Sequence, residues 1–264
     1  MKIELRVLSL ALMIVFTFAA TADAQLLLHY DFEQTGSTAT DQSPNGNDGA
    51  LTGTTQVAGV FGNGRHFNVG NADFLGLTSG TNLPGSDDTY TVLGWFKSDW
   101  LSPAGGGHIL GYNLNGLKMT WGVHPADQLW VSYQNGGGRQ LPVGNLDVNA
   151  YQHFAMTYDP NGLTNIFVNG SAATYDTGAP HKFFGGPDNG DVGLSLGAVN
   201  PFEGGAPQEG QSVSIDDFAI YGGALSQSQI QGYMANGVPE PTTLTLLALG
   251  MSLFLGTHRR YKRQ

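Results

Sequence analysis

The chain is 264 residues long, carries a formal charge of −10, and contains 39 glycines and no cysteine. Without cysteine there can be no disulfide, thiol chemistry or cysteine-ligated metal, so an exported domain must be held by its core and by ions. The acidic field repels nucleic-acid phosphates and anionic membrane surfaces and attracts cations, which sets nucleic-acid binding aside and makes calcium a plausible partner.

Lys2 and Arg6 precede an apolar run over residues 7–20, and Ala22-Asp23-Ala24 forms a small-x-small cleavage pattern before Gln25. Residues 1–24 therefore read as a secretory signal peptide. At the other end, Pro239-Glu240-Pro241 is followed by an apolar run over residues 244–255 and by Arg259, Arg260, Lys262 and Arg263. That run is shorter than the roughly 20 residues of an ordinary spanning helix. The basic cluster should stay cytoplasmic, which places everything before residue 238 outside the inner membrane.

Between these ends lie residues 25–237, and 237 − 24 leaves 213 residues, enough for one large all-β domain. Five of the 11 basic residues and 18 of the 21 acidic ones fall there, a net charge of −13. Of those acids, all but Glu33, Glu203 and Glu209 are aspartates, most of them beside turn-forming residues. Short Asp side chains either bond their own turn or offer oxygen to a hard cation.

Residues 26–32 (LLLHYDF) open the domain as a strand, and residues 41–49 (DQSPNGNDG) are turn chemistry. Strands are predicted at 65–69, 74–78, 90–97, 108–112, 117–123 and 129–133. A hairpin follows over 152–158 and 164–168, after which Asn169-Gly170 suits a type I′ turn. A further strand is expected over 192–199, and residues 226–235 read as helix, with Ser226 as its cap.

The stretch at 212–225, SVSIDDFAIYGGAL, closes the sheet. Val213 and Ile215 share one parity and Phe218 and Ile220 the other, so a β-bulge near Asp216 is needed to bury all four. Asp216 and Asp217 could be metal ligands, a catalytic pair or a solvated strand edge. About a dozen short strands without βαβ alternation indicate an all-β, two-sheet antiparallel jelly-roll sandwich.

YDFEQ, DQSPNGNDGAL, VAGVFGNGRHFNV, TVLGWFK, YQHFAMTYDPNGLTNIFVNG and SIDDFAIYGGALSQSQI occur in one order that resembles the laminin-G-like group of concanavalin A-like lectin/glucanase domains. The family often has Trp where this chain has Tyr151. The resemblance implies a calcium ion pinning the first loop to the last strand, with Asp216 opposite the loop containing Asp31 and with Asp41 as a further ligand. Asp217 is then an outer-shell or solvated neighbour. The segment 238–264 looks like a PEP-CTERM sorting signal, which implies processing by an exosortase-type protease in a Gram-negative bacterium and delivery to the cell surface or exopolysaccharide matrix.

Glycanases on this fold need paired carboxylates in a Glu-x-Asp-x-Glu or similar arrangement, and no such spacing occurs. The histidines are scattered; His153, inside the hairpin, suits a structural hydrogen bond. Exposed Trp and Tyr can stack on sugar rings. Trp95 and Trp121 fall in strands and read as core, which leaves Trp100, in a loop, as the candidate ligand contact. The expectation is a non-enzymatic, exported, lectin-like protein that binds polysaccharide or another matrix component. The alternatives are a structural or adhesion protein with a protein partner, and a divergent glycoside hydrolase or lyase.

Overall fold

Period-two alternation with frequent turn residues produces two antiparallel sheets in the computed structural model. It describes residues 24–68, 73–77, 80–84, 88–99, 150–159, 165–173, 193–197 and 212–239, together with the backbone of strands at 107–114, 117–124, 128–133 and 137–141. Residues 1–23 of the expected signal peptide, Trp100, Glu240 and the remainder of the tail lie outside the described residues.

The first sheet contains β1 (Gln25–Tyr30), β4 (Thr55–Ala58), β5 (Asn63–Phe67), β7 (Tyr90–Ser98), β12 (Gln152–Tyr158), β13 (Asn165–Val168), β14 (Ser171–Ala172) and β16 (Val213–Gly222). Its strand order is β14-β13-β12-β7-β16-β5-β4, with β1 also paired to β16. The second contains β2 (Thr38–Ala39), β3 (Gly49–Thr52), β6 (Phe74–Leu77), β8 (Gly107–Leu114), β9 (Leu117–His124), β10 (Gln128–Tyr133), β11 (Gly137–Leu141) and β15 (Gly193–Leu196). Its order is β11-β10-β9-β8-β15-β6-β3-β2.

Apolar side chains from both sheets meet between them, among them Leu28, Tyr30, Phe96, Phe154, Ile215 and Phe218 from the first and Leu51, Leu75, Leu194 and Leu196 from the second. Burying each large side chain stabilises the sandwich by about 1.5–3 kcal/mol relative to exposure. A second apolar cluster lies on the other face of the first sheet. There Leu93, Ala155, Phe167, Ala219, Tyr221 and Leu225 pack with Ile230 of the helix α1 (Gln227–Asn236). The helix begins in a capping box, Ser226 with Gln229. Gln227 and Gln231 both donate to Gly170 O at 2.9 Å, fixing α1 to the β13–β14 turn.

The bulge expected near Asp216 is present. The pairing of β16 with β7 shifts register between Asp216 and Ala219, and Asp217 takes φ +49°. Val213 and Ile215 before it, and Phe218 and Ile220 after it, therefore all reach the inter-sheet core. Gly94 of β7 lies opposite the extra residue, where an added Cβ would stand 3.2 Å from the Phe218 Cα. The turn expected at Asn169-Gly170 also forms, with φ +48° and +71°.

Candidate functional site

The bulge is also a branch point. β7 runs along one side of β16, whereas the other side is paired to β5 at Val213–Ile215 and to β1 at Phe218–Gly222. Asp216 and Asp217 sit where the neighbour changes, and each grips a different segment. Asp216 is fully buried, and its Oδ2 accepts hydrogen bonds from the backbone N–H groups of Val60 (2.7 Å) and Phe61 (3.0 Å) in the β4–β5 turn.

Glu33 holds the same turn from the other side. Its carboxylate accepts the Asn63 backbone N–H at 2.8 Å and the Asn63 amide at 2.7 Å. The glycines of this turn follow from these contacts: a Cβ at Gly59 would overlap the Asp216 carboxylate, and one at Gly62 would overlap that of Glu33. Tyr151 adds a third hold, its hydroxyl donating to Ala58 O at 3.0 Å.

Asp217 is not a solvated neighbour. It is 6% exposed; Oδ1 meets His29 Nε2 at 2.6 Å, and Oδ2 accepts the Val238 N–H at 3.0 Å. The carboxylate thus ties β1 and the segment after α1 to the closing strand. A buried carboxylate without such donors would cost several kcal/mol, which is why the residue carries two.

Burial shifts two titratable groups here, Asp216 and His153. It pushes the Asp216 carboxyl up to about 6, opposed by the hydrogen bonds from Phe61 and Val60. His153, 1% exposed, is pushed down to about 4 by burial, with the charge of Asp217 opposing the shift. Its backbone N–H donates to the Asn169 side chain at 2.9 Å and its ring meets Trp95 edge to face at 5.2 Å. Trp95 itself is only partly buried and lies outside the inter-sheet core.

The three expected calcium ligands are not brought together, and no group of three or more His, Asp or Glu suited to a metal occurs among the described residues. Asp41 does not fit. Its oxygens already accept from His29 N, Ser43 N, Ser43 Oγ and Asn47 N, at 2.7–2.9 Å, which pins the turn after β2 onto β1. Asp31 is turned onto its own loop, where Oδ1 accepts from Glu33 N at 3.2 Å and Gln34 Nε2 at 3.0 Å. Asp216 retains one buried oxygen, Oδ1, without a partner.

The second sheet presents a different surface, legible from register. Leu196 pairs with Leu110, Leu110 with Trp121 and Trp121 with Val131, and Leu194 pairs with Tyr112, then Met119 and Tyr133. Leu194 and Leu196 belong to the inter-sheet core, so these two rows take the inner face. The row between them, Ser195, Gly111, Thr120, Ser132 and Gly138, takes the outer face. Beside it on that face runs His108, Gly122, Trp130 and Gln140. Trp121 thus holds an inner position, as expected. Trp130 was the residue to single out: in QLWVSY it takes the parity of Gln128 and Ser132, opposite Leu129, Val131 and Tyr133.

Residues 69–231 match the family model described as the concanavalin A-like lectin/glucanases superfamily. The chain belongs to this superfamily. Residues 237–263 match the PEP-CTERM protein-sorting motif. Trypanosoma rangeli sialidase in complex with sialic acid superposes with a TM-score of 0.61 at 19% identity, over 79% of this chain and 32% of that one. The chain therefore spans about a third of the length of that sialidase. Domain 4 of AbnA, a GH43 extracellular arabinanase from Geobacillus stearothermophilus, in complex with arabinotriose, superposes with a TM-score of 0.56 at 23% identity, covering 79% of this chain and 98% of that one. The binding domain of Paraclostridial Mosquitocidal Protein 1 gives 0.61 at 14% identity, over 78% of this chain and 51% of that one. At these identities the likenesses concern the fold. No curated protein matches the chain.

Proposed function

We propose that this concanavalin A-like protein is exported, displayed at the cell surface or in an exopolysaccharide matrix, and binds glycan there without cleaving it. The observation that carries the reading is the outer face of the second sheet. A floor of small residues at Gly111, Thr120, Ser132 and Gly138 runs beside a row holding Trp130, His108 and Gln140. Small residues in one row and an aromatic, an amide and an imidazole residue in the next are the residue types that suit a sugar ring and its hydroxyls. The AbnA domain, which covers nearly its whole length on this fold, is described in complex with arabinotriose, and it supports a sugar as the ligand class.

The non-catalytic part rests on the glutamates. Glu33 is committed to Asn63, and neither Glu203 nor Glu209 has a second glutamate at glycanase spacing. Calcium stays in the proposal through Asp216 Oδ1, where a bound ion would neutralise a buried charge and add a structural link at the bulge. The tail supplies the address, through an exosortase-type protease in a Gram-negative host. A glycan array probed with the purified protein tests the reading. Retention on polysaccharide without release of reducing sugar supports it; release of reducing sugar, or binding to protein alone, overturns it.

A further inference from the structure

The PEP-CTERM match begins at Gly237, yet the folded body does not stop before it. Gly237 ends α1 at φ +77° and donates its N–H to Tyr233 O at 2.8 Å. Val238 follows with its N–H on Asp217 Oδ2 at 3.0 Å and its side chain, 7% exposed, in the apolar cluster beneath α1. Gly237 faces both the Phe61 ring and the Asp217 carboxylate, each 3.5 Å from the point where a Cβ would be. Asp217 cannot swing away freely, because its other oxygen is held by His29 and the bulge fixes its backbone. Exposure returns only at Pro239, the first residue of Pro239-Glu240-Pro241.

A protease must take its substrate as an extended, accessible segment, so hydrogen-bonded and buried backbone resists cutting until it opens locally. We infer that the domain itself sets the limit of processing. The Asp217 clasp shields the chain through Val238, so the cut falls C-terminal to Pro239, and Gly237-Val238 remain in the mature protein as its seated end. The reaction is hydrolysis of one peptide bond: the oxygen of water joins the carbonyl carbon, and the departing amine takes a proton. This inference uses the sorting match and the clasp. It is independent of what the second sheet binds, so loss of glycan binding would leave it standing.

The test uses the full-length precursor under native conditions with limiting proteinase K, the C-terminal boundary of the surviving domain being read by mass. The wild-type boundary should lie at Pro239 or beyond. Asp217→Ala should be cut within residues 232–238 about tenfold faster, because it removes the acceptor for Val238, while Asp217→Asn, which keeps an oxygen there, should stay close to wild type. Amide exchange in the wild-type precursor gives an independent reading that needs no variant. Val238 should exchange at least about tenfold more slowly than Glu240 after correction for sequence. A wild-type boundary upstream of Gly237, equal cutting of wild type and Asp217→Ala, or an unprotected Val238 amide would each overturn the inference.

Discussion

Two buried groups on the first sheet should pull stability in opposite directions over one pH window. Asp216 titrates at about 6 against an ordinary value of 3.8. The folded state therefore holds its proton more tightly than the unfolded chain, and the stability this supplies is full below 3.8 and lost as pH rises to about 6. At ~1.4 kcal/mol per pH unit, the full separation amounts to about 3 kcal/mol. His153 titrates at about 4 against 6.5, so its contribution is full above 6.5 and lost as pH falls to about 4, again by about 3 kcal/mol. Both side chains belong to residues almost wholly shielded from solvent, 0% and 1% exposed, so screening by water discounts neither figure heavily. The two slopes nearly cancel in the wild type and separate in variants. His153→Gln should lose about 2 kcal/mol relative to its own value at pH 4 as pH is raised to 6, and Asp216→Asn should gain about 2–3 kcal/mol between pH 4 and 6.5. For a domain of this size that corresponds to roughly 4–12 °C in melting midpoint. Thermal melts in chelator at half-unit pH steps, plotted as variant minus wild type, remove every other titrating group from the comparison. Two flat difference curves would refute the assigned burial of these groups.

Gly59→Ala should destabilise the fold by about 1–3 kcal/mol in denaturant melts, because its Cβ would overlap Asp216 and approach the Asn63 carbonyl carbon to 2.9 Å. Ser226→Ala should cost about 1 kcal/mol by the same measurement, since Ser226 accepts the Gln229 N–H at the start of α1. Calcium at a hundredfold excess over its dissociation constant should stabilise the wild type by about 2.7 kcal/mol and Asp216→Asn by much less; an unchanged midpoint at millimolar calcium would remove the ion from the account.

The bulge was legible because parity is a strict constraint: four apolar residues of β16 cannot share one core without an extra residue between them. The hairpin and its Asn169-Gly170 turn were legible for the same kind of local reason. What escaped were β2, β3, β4, β11 and β14, which are short or rich in Gly, Thr and Ser, and whose pairing is decided by neighbouring strands. Asp217 escaped because adjacent acids read as a solvated edge in one dimension. Its partners, His29 and Val238, lie 188 and 21 residues away along the chain. Asp41 looked like a free ligand because sequence shows its oxygens but not the four donors that its own turn and β1 bring onto them.

Binding at the outer face of the second sheet is the central claim. Affinity electrophoresis of the wild type and Trp130→Ala through gels containing surface polysaccharide tests it most directly. The account predicts retardation of the wild type, at least about twofold weaker binding by the variant, consistent with loss of an aromatic contact of ~0.5–1.5 kcal/mol, and an unchanged melting midpoint. Equal retardation of the two proteins, or none of the wild type, would contradict it.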